Sequence, residues 1–338
     1  MTSTHTSARR ATALRRAAVR ATLAPSVHNT QPWRLHLRHE QLDLFVDRAR
    51  QLAVLDPTSR QMTISCGCAL MNARVSLAGD GISVRVHRFP ETAQPDLLAS
   101  IAGVDGGLTD DERELGLLDK VLEHRQTNRR RFGDDTVPDE VLGLLEQAAA
   151  AEDSQLHVIH RPEHRIAVAA LSQHADAIEN LNPAYRAELR AWTTDDPTRR
   201  DGVPGTAVPH VDGATFDEIP IRDFDTRGTG GLPTDTHSSR DQCLVLLGTT
   251  GDSPADWLRA GEALERVLLE ITRAGYVATP LTQITEVPSA RAQLRSELNL
   301  VGYPHVLLRI GRAAPTPGSR RRRLVEVLVE EVPDHHDG

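Results

Sequence analysis

A loop of ten residues carries the densest group of side chains that could recognise a ligand. Residues 24–33 read Ala-Pro-Ser-Val-His-Asn-Thr-Gln-Pro-Trp and lie between a predicted helix and a predicted strand. Each proline restricts φ and lacks a backbone donor, so we expect a rigid loop. Its neutral hydrogen-bonding side chains belong to Ser26, His28, Asn29 and Gln31. This chemistry suits the edge of a polar heterocycle, and the alternative is a turn whose side chains cap the preceding helix.

An arginine-rich segment follows a helix predicted over residues 115–124. It reads Arg125-Gln-Thr-Asn-Arg-Arg-Arg-Phe132. Guanidinium groups bind phosphate in bidentate geometry, while Thr127 and Asn128 could make polar contacts with an attached ring. The alternative is a solvated basic link between two halves of the chain.

Two further segments carry similar chemistry. Residues 278–283 (Ala-Thr-Pro-Leu-Thr-Gln) present hydroxyls and backbone amides on a loop stiffened by proline. Residues 319–323 (Ser-Arg-Arg-Arg-Arg) form a basic run near the C-terminus, which by itself is typical of an exposed surface.

Composition excludes several other functions. The 338 residues include 39 basic and 47 acidic ones, so a net charge of −8 argues against nucleic acid or an anionic membrane as a partner. No apolar run is long enough to span a membrane, and a cytoplasmic location is predicted. The three cysteines have no metal-ligand spacing, and Pro162 interrupts a group of histidines at 157, 160 and 164. We therefore predict free buried thiols and no metal site.

Hydrophobic periodicity predicts alternating helices and strands. Helices are predicted at 7–23, 61–78, 139–151 and 256–274, and strands at 34–38, 42–46, 82–89, 156–160, 243–247 and 305–310. Residues 192–240 are rich in Pro, Gly, Asp and Thr, and a long segment of this kind is a functional lid or a disordered loop. Its Gly228-Thr-Gly-Gly run lacks the strand and helix that a phosphate loop needs.

Two of the predicted helices resemble each other. Each contains a G-x-A-L pattern, Gly67-Cys-Ala-Leu in one and Gly261-Glu-Ala-Leu in the other. A glycine follows each helix, at Gly81 and Gly275, and both pairs of glycines are 194 residues apart. Matching positions in matching context predict a tandem duplication.

With these segments the chain resembles the FMN-dependent nitroreductase superfamily, in its fused, two-lobed Acg-like branch. The resemblance rests on residues 25–33, 65–70, 126–132 and 256–283, with a less specific match at 304–312. It implies an α+β fold in which two tandem lobes of one chain mimic the family homodimer, with mainly antiparallel sheets flanked by helices. The expected division is a first lobe at 1–118, a second lobe at 119–330 with a lid-like insertion at about 192–240, and a flexible tail at 331–338.

The resemblance also implies the residues that hold FMN. Ser26 and Asn29 match a P-S-x-x-N loop, and Arg321 and Arg322 match basic residues that bind the phosphate. Anchoring on Phe132 places three residues of the arginine-rich segment against the flavin: Thr127, Asn128 and Arg130. Gln126 then stands where an arginine is usual, and Arg125 is the candidate to replace it. The segment expected near the reactive flavin nitrogen comprises Thr279, Pro280, Leu281, Thr282 and Gln283, and His28 completes the predicted set.

The implied activity is NAD(P)H-dependent reduction of an electron-poor acceptor, a nitroaromatic or a quinone, through FMN. The alternative is a weakly active or inactive protein that sequesters FMN beneath a lid. The second-lobe stretch 149–156 lacks the P-S-x-x-N loop and residues 7–23 lack the arginine motif, so one FMN per chain is predicted. The predicted partner is the small-molecule acceptor, the protein is a monomer or a homodimer, and no catalytic acid or base is identified.

Overall fold

The first part of the chain alternates helices with the strands of one sheet. The computed structural model describes residues 2–331 without 39, 134, 211–218, 226–229 and 233–241, and describes side chains from residue 7 onward. Up to residue 117 the elements are α1 (Thr2–Ala21), β1 (Trp33–Arg38), β2 (Gln41–Val46), α2 (Arg60–Gly79), β3 (Val84–Arg88), β4 (Leu97–Gly103) and α3 (Asp110–Leu117).

The second part repeats this alternation and adds helices. Its elements are α4 (Asp139–Ala150), β5 (Ser154–Val158), α5 (Pro162–Leu181), α6 (Pro183–Ala191), β6 (Thr193–Thr194), β7 (Val203–Pro204), β8 (Cys243–Thr249), α7 (Pro254–Arg273), β9 (Val277–Leu281), α8 (Gln283–Glu286), α9 (Pro288–Glu297), β10 (Tyr303–Gly311), α10 (Leu324–Val327) and β11 (Leu328–Glu330). The predicted α+β class is confirmed.

The strands form two larger sheets and a two-stranded ribbon of β6 and β7. The first sheet has the order β11-β1-β2-β4-β3, and the second has the order β5-β8-β10-β9. Pairing within the two larger sheets is antiparallel except between β1 and β11, where Leu35 lies opposite Leu328 in a parallel register. The last strand of the chain therefore belongs to the first sheet.

Helices α2 and α7 pack against each other in the core that also includes residues of both sheets. Each has 20 residues, and α7 begins and ends 194 residues after α2. The small residues Gly67 and Gly261 lie at their crossing, where a Cβ on either glycine would lie 2.8 Å from the Cα of the other. Their lack of a Cβ is what permits the two helix backbones to approach so closely.

Local signals set the ends of these helices. Ser253 and Asp256 form a capping box at the start of α7, with Pro254 in its first turn. Gly81 and Gly275 follow α2 and α7 with φ of 74° and 79°, in the left-handed region that glycine adopts at little cost. The predicted glycine stops are confirmed.

Helices α5, α6, α8, α9 and α10 were not predicted from the sequence. Pro162 was expected to interrupt the local structure, but it lies in the first turn of α5, where its missing N–H has no helical partner to lose. Asn182 then begins α6, since its Oδ1 accepts a hydrogen bond from Ala184 N at 3.0 Å. Gly228 and Thr229 of the glycine run, and the tail from residue 332 with His335 and His336, lie outside the described residues.

The remaining compositional predictions concern metals, thiols and membranes. Across the described ranges no group of His, Cys, Asp and Glu could hold a metal ion. Cys66 and Cys68 are buried free thiols, and Cys243 is half-buried. No described helix is both long and apolar enough to cross a bilayer.

Candidate functional site

The loop at 25–33 is strongly constrained. His28, Asn29 and Gln31 adopt left-handed φ values of 47°, 54° and 50°, a conformation that costs energy and persists only where surrounding contacts hold it. Ser26 Oγ accepts from Gln31 N at 2.9 Å, and Val27 N donates to Ser65 Oγ on α2 at 3.2 Å. The end of α1 is closed by backbone donors of residues 22–24, so the side chains of this loop are not required as its cap.

This loop lines two adjoining pockets, which we describe as the two ends of one cavity because they share four lining residues. Both ends are lined by Pro25 and Ser26 from the loop and by Thr127 and Arg129 from the arginine-rich segment. We call them the arginine end and the ring end. The arginine end is further lined by Leu23, Asn29, Leu122, Glu123, Arg125, Gln126, Val203, Ala207, Pro317, Gly318, Ser319 and Arg321.

The arginine end carries more positive than negative charge. Arg125 Nε lies 3.2 Å from Glu265 Oε1 on α7, and Arg321 Nη1 donates to Asn29 Oδ1 at 3.2 Å. Burial and the nearby Arg125 lower the pKa of Arg321 to about 10. Burial raises the pKa of Glu265 to about 7, although Arg125 and Arg321 favour its ionised form. Two guanidinium groups beside one carboxyl group suit a phosphate.

The ring end is more apolar than the arginine end. Its remaining lining residues are Val27, His28, Gln61, Ile64, Ser65, Cys68, Ile221, Arg222, Phe224, Leu264, Pro280, Thr282, Gln283 and Val306. The buried Gln61 Nε2 has no hydrogen-bond partner in the described part of the chain, which is costly for an amide donor unless a ligand supplies an acceptor. An apolar cleft with a few polar groups at its edge suits a planar heteroaromatic ligand.

Residues from the long insertion lie against the ring end. Arg222 Nη1 donates to His28 Nε2 at 2.8 Å, and its Nη2 donates to Thr282 Oγ1 at 3.2 Å and forms an ion pair with Glu286. Burial and the nearby Arg222 and Arg129 hold the pKa of His28 well below its usual value, so its ring is neutral. Phe224 packs edge-on against His28, with ring centroids 5.3 Å apart.

Two curated proteins of Mycobacterium tuberculosis are similar to this chain over nearly its whole length. "Putative NAD(P)H nitroreductase acg" is 32% identical over 320 residues, which cover 92% of this chain and 94% of that protein. "Putative NAD(P)H nitroreductase Rv3131" is 34% identical over 317 residues, which cover 91% and 88%. The chain belongs to the Acg-like nitroreductase family.

The resemblance inferred from the sequence is thereby confirmed. No family model matches the chain. Among solved structures, a nitroreductase with bound FMN from Desulfitobacterium hafniense DCB-2 superposes with a TM-score of 0.41 and 13% identity, covering 63% of this chain and 98% of that chain.

The arginine-rich segment lines the cavity with Arg125, Gln126, Thr127 and Arg129. The other two residues of the predicted set turn away, since Asn128 Nδ2 donates to Ala314 O at 2.8 Å and Arg130 Nε donates to Pro315 O at 3.2 Å. Thr127 forms a parallel bridge with Ala278 of β9, and an extended backbone sends successive side chains from Thr127 onward to opposite sides.

Arg129 was missed because the sequence was aligned on Phe132. Counting every second residue from Arg125 instead selects Arg125, Thr127 and Arg129, and Gln126 lines the cavity beside them. Arg129 is half-buried, has no hydrogen bond or ion pair with any described residue, and stacks over Phe224 at 4.8 Å. Burial and Arg222 lower its pKa to about 10, so it remains a cation at neutral pH.

The other predicted residues divide between the cavity and its supports. Pro280, Thr282 and Gln283 line the ring end, and Gln283 Nε2 is held by Asp176 Oδ1 at 2.6 Å. The buried Thr279 donates its hydroxyl to Asn128 O, and Leu281 packs in a separate apolar cluster.

Asn29 positions other parts of the site. Its Nδ2 donates to Gly202 O at 2.9 Å and to Arg320 O at 3.1 Å, while its Oδ1 accepts from Arg321. It therefore joins the first-half loop to the insertion and to the C-terminal segment. Arg322 lies outside the cavity, where its Nη1 donates to Gln31 O at 3.1 Å.

At the positions related to the cavity by the 194-residue offset, the chain has charged side chains. Cys68 and Thr282 line the ring end, and their counterparts are Glu262 and Arg88. Arg88 Nε and Nη2 donate to the two oxygens of the buried Glu262 at 2.7 and 2.9 Å. Two cavity-lining positions, one from each half, thus correspond to an ion pair at the offset-related site.

The ion pair belongs to a larger network. Arg74 Nη1 donates to Glu262 at 2.8 Å and to Glu152 at 2.5 Å, and Arg266 Nη1 donates to Glu152 at 2.8 Å. Glu152 lies in the short connection 151–153 between α4 and β5, whereas residues 22–32 separate α1 from β1. The offset-related site therefore has paired charges where the cavity has open lining residues, and a short connection where the cavity has the loop at 25–33.

Proposed function

We propose that this chain holds one FMN in the cavity, with its phosphate at the arginine end and its ring system at the ring end. The observation that carries the proposal is that the two ends adjoin and share four lining residues, Pro25, Ser26, Thr127 and Arg129. Arg125 and Arg321 would hold the phosphate. When bound, FMN supplies electron transfer between a nicotinamide and an electron-poor acceptor.

Unpartnered donors at the cavity support the fit. Among the described residues Gln61 Nε2 is buried without a hydrogen-bond partner, and Arg129 stacks on Phe224 and makes no hydrogen bond or ion pair. His28 Nε2 accepts from Arg222, so Nδ1 carries the proton, and no described residue accepts from that buried atom. These donors match the acceptor atoms at the edge of a flavin ring.

The activity we propose is NAD(P)H-dependent reduction of a small electron-poor acceptor, a nitroaromatic or a quinone. The names of the mycobacterial relatives support it. The test begins with purified protein, whose bound FMN is released and counted against protein, and the expected ratio is about one. NADPH or NADH is then mixed with the FMN-loaded protein without oxygen, and prompt bleaching of the flavin is the expected result.

A second candidate is sequestration of FMN, and one observation favours it. Ile221, Arg222 and Phe224 of the insertion line the same end of the cavity as the ring-binding residues. If they stay in place, a nicotinamide has no route to the ring and the bound flavin is protected from reduction. Reduction by dithionite but not by either nicotinamide would select sequestration over the reductase.

The predicted count of one FMN is supported by the charged network at the offset-related positions. Glu262 is fully buried between Arg74 and Arg88, so a second flavin would have to displace paired charges. The proposal includes two lobes, at 1–118 and 119–330, and an insertion at 192–240 that covers the flavin. It also includes a monomeric or homodimeric protein. A ratio of two FMN per chain would contradict the single site.

A further inference from the structure

A second group of arginines surrounds an open groove on the other side of the cavity loop. Its lining comes from the start of the insertion (198–201), from the C-terminal segment (322, 323 and 326) and from Arg50. Five of these residues are arginines: Arg50, Arg199, Arg200, Arg322 and Arg323. Only Asp201 and Glu326 are acidic, in a chain whose overall net charge is −8.

The charges of the groove do not balance. Asp201 takes ion pairs from both Arg50 and Arg199, and Arg322 Nη1 reaches Asp47 at 3.5 Å. The exposed side chains of Arg200 and Arg323 make no hydrogen bond or ion pair with the residues that the structure describes. The groove thus has positive charge that its own carboxylates do not neutralise.

The backbone around the groove is fixed by Gln31. This buried residue donates from Nε2 to Arg200 O at 2.9 Å and accepts at Oε1 from Arg322 N at 2.7 Å. It therefore ties the two walls of the groove to the loop that lines the flavin cavity. Arg321 lines that cavity and Arg322 lines the groove, so the basic run at 319–323 contributes arginines to both.

We propose that this groove binds a phosphate monoester dianion, at a site separate from the FMN cavity. Several guanidinium groups on converging walls can bind a dianion with bidentate hydrogen bonds, and Arg200 and Arg323 are free to do so. The phosphate has two potential sources, the 2′-phosphate of NADPH or a free phosphate. The assignment to NADPH rests on the proposed reductase, whereas the anion site itself does not.

The first test is calorimetric titration of the FMN-loaded protein with 2′,5′-ADP, AMP and inorganic phosphate. We expect saturable binding that weakens with added salt. Tighter binding of 2′,5′-ADP than of the other two identifies the NADPH phosphate, whereas equal binding of inorganic phosphate identifies free phosphate. No saturable binding of any of the three overturns the proposal.

The second test is the double variant Arg200→Ser with Arg323→Ser. Both side chains are exposed, so folding should be preserved, and the affinity should fall about tenfold or more. Arg85→Ser is the matched control, because Arg85 is exposed on β3 at the opposite edge of the first sheet from β11. Equal affinity in wild type and double variant overturns the assignment. FMN content is measured in each sample, so failure of the flavin proposal is seen separately.

Discussion

Gly67 of α2 and Gly261 of α7 contact each other reciprocally across the centre of the molecule. A Cβ on Gly67 would collide with Leu258 O, and a Cβ on Gly261 would collide with Ile64 O. Leu258 lies 194 residues after Ile64, the same offset that separates the two glycines. The contact therefore has the self-complementary character of a two-fold interface, although it lies within one chain.

Replacing either glycine by alanine should destabilise the protein strongly. The added methyl group meets backbone atoms that a rotamer change cannot move, so the helices must separate, at a cost of about 3 kcal/mol or more. Chemical denaturation measures the change. Gly143→Ala on α4 is the matched control, because no atom lies within 4 Å of its added Cβ and helix propensity predicts stabilisation of up to about 1 kcal/mol. Equal effects at the three sites would contradict close packing at the crossing.

Arg321→Ser should weaken FMN binding by about a hundredfold, since it removes a half-buried cation from the proposed phosphate site. Titration of apo-protein with FMN gives the dissociation constant. Arg320→Ser is the control, because Arg320 is exposed and its side chain lines neither the cavity nor the groove. Similar losses in the two variants would remove Arg321 from the phosphate site.

FMN affinity should fall as pH rises through about 7. Burial raises the pKa of Glu265 to about 7, and a nearby phosphate dianion opposes its ionisation further, so binding takes up a proton. The dissociation constant should rise by up to about tenfold per pH unit between about pH 6.5 and 8.5, where the phosphate is already mostly dianionic.

Glu265→Gln should remove most of this pH dependence of the FMN dissociation constant, because an amide does not titrate. The same pH dependence in wild type and variant would show that another group is responsible.

The raised pKa of Glu265 also affects folding stability. Between the ordinary carboxyl value and about 7 the folded state holds a proton that the unfolded state has lost, so this group makes the free energy of unfolding fall as pH rises.

Phe224→Ala should accelerate reduction of bound FMN by NADPH, by about tenfold or more if the insertion limits access. Phe224 is 5% exposed and packs on His28 and Arg129 at the ring end. Stopped-flow absorbance without oxygen measures the rate. Phe45→Ala on β2 removes the same ring from a half-buried position against His36 and should leave the rate unchanged. An unchanged rate in Phe224→Ala would show that this side chain does not gate the flavin.

Local signals predicted the central helices well. The glycines after α2 and α7 and the repeated G-x-A-L pattern act within one or two helical turns, so they can be recognised along the chain. Helix α5 was missed because Pro162 was interpreted as a break, although proline is favoured in a first helical turn.

The sequence by itself determined the family, the α+β class and the segments that supply the cavity, because these depend on local pattern and composition. Only the tertiary structure decided which side chains of those segments face it. Pairing of Thr127 with Ala278 turns Arg129 inward and Arg130 outward, and Gln31 joins two walls that are far apart in sequence. Gln61, Arg222 and Glu265 carry no distinctive local motif, because their roles depend on contacts with distant elements. The positions 194 residues from Cys68 and Thr282 likewise form ion pairs only in the folded chain, where Glu262 contacts Arg88 and Arg74.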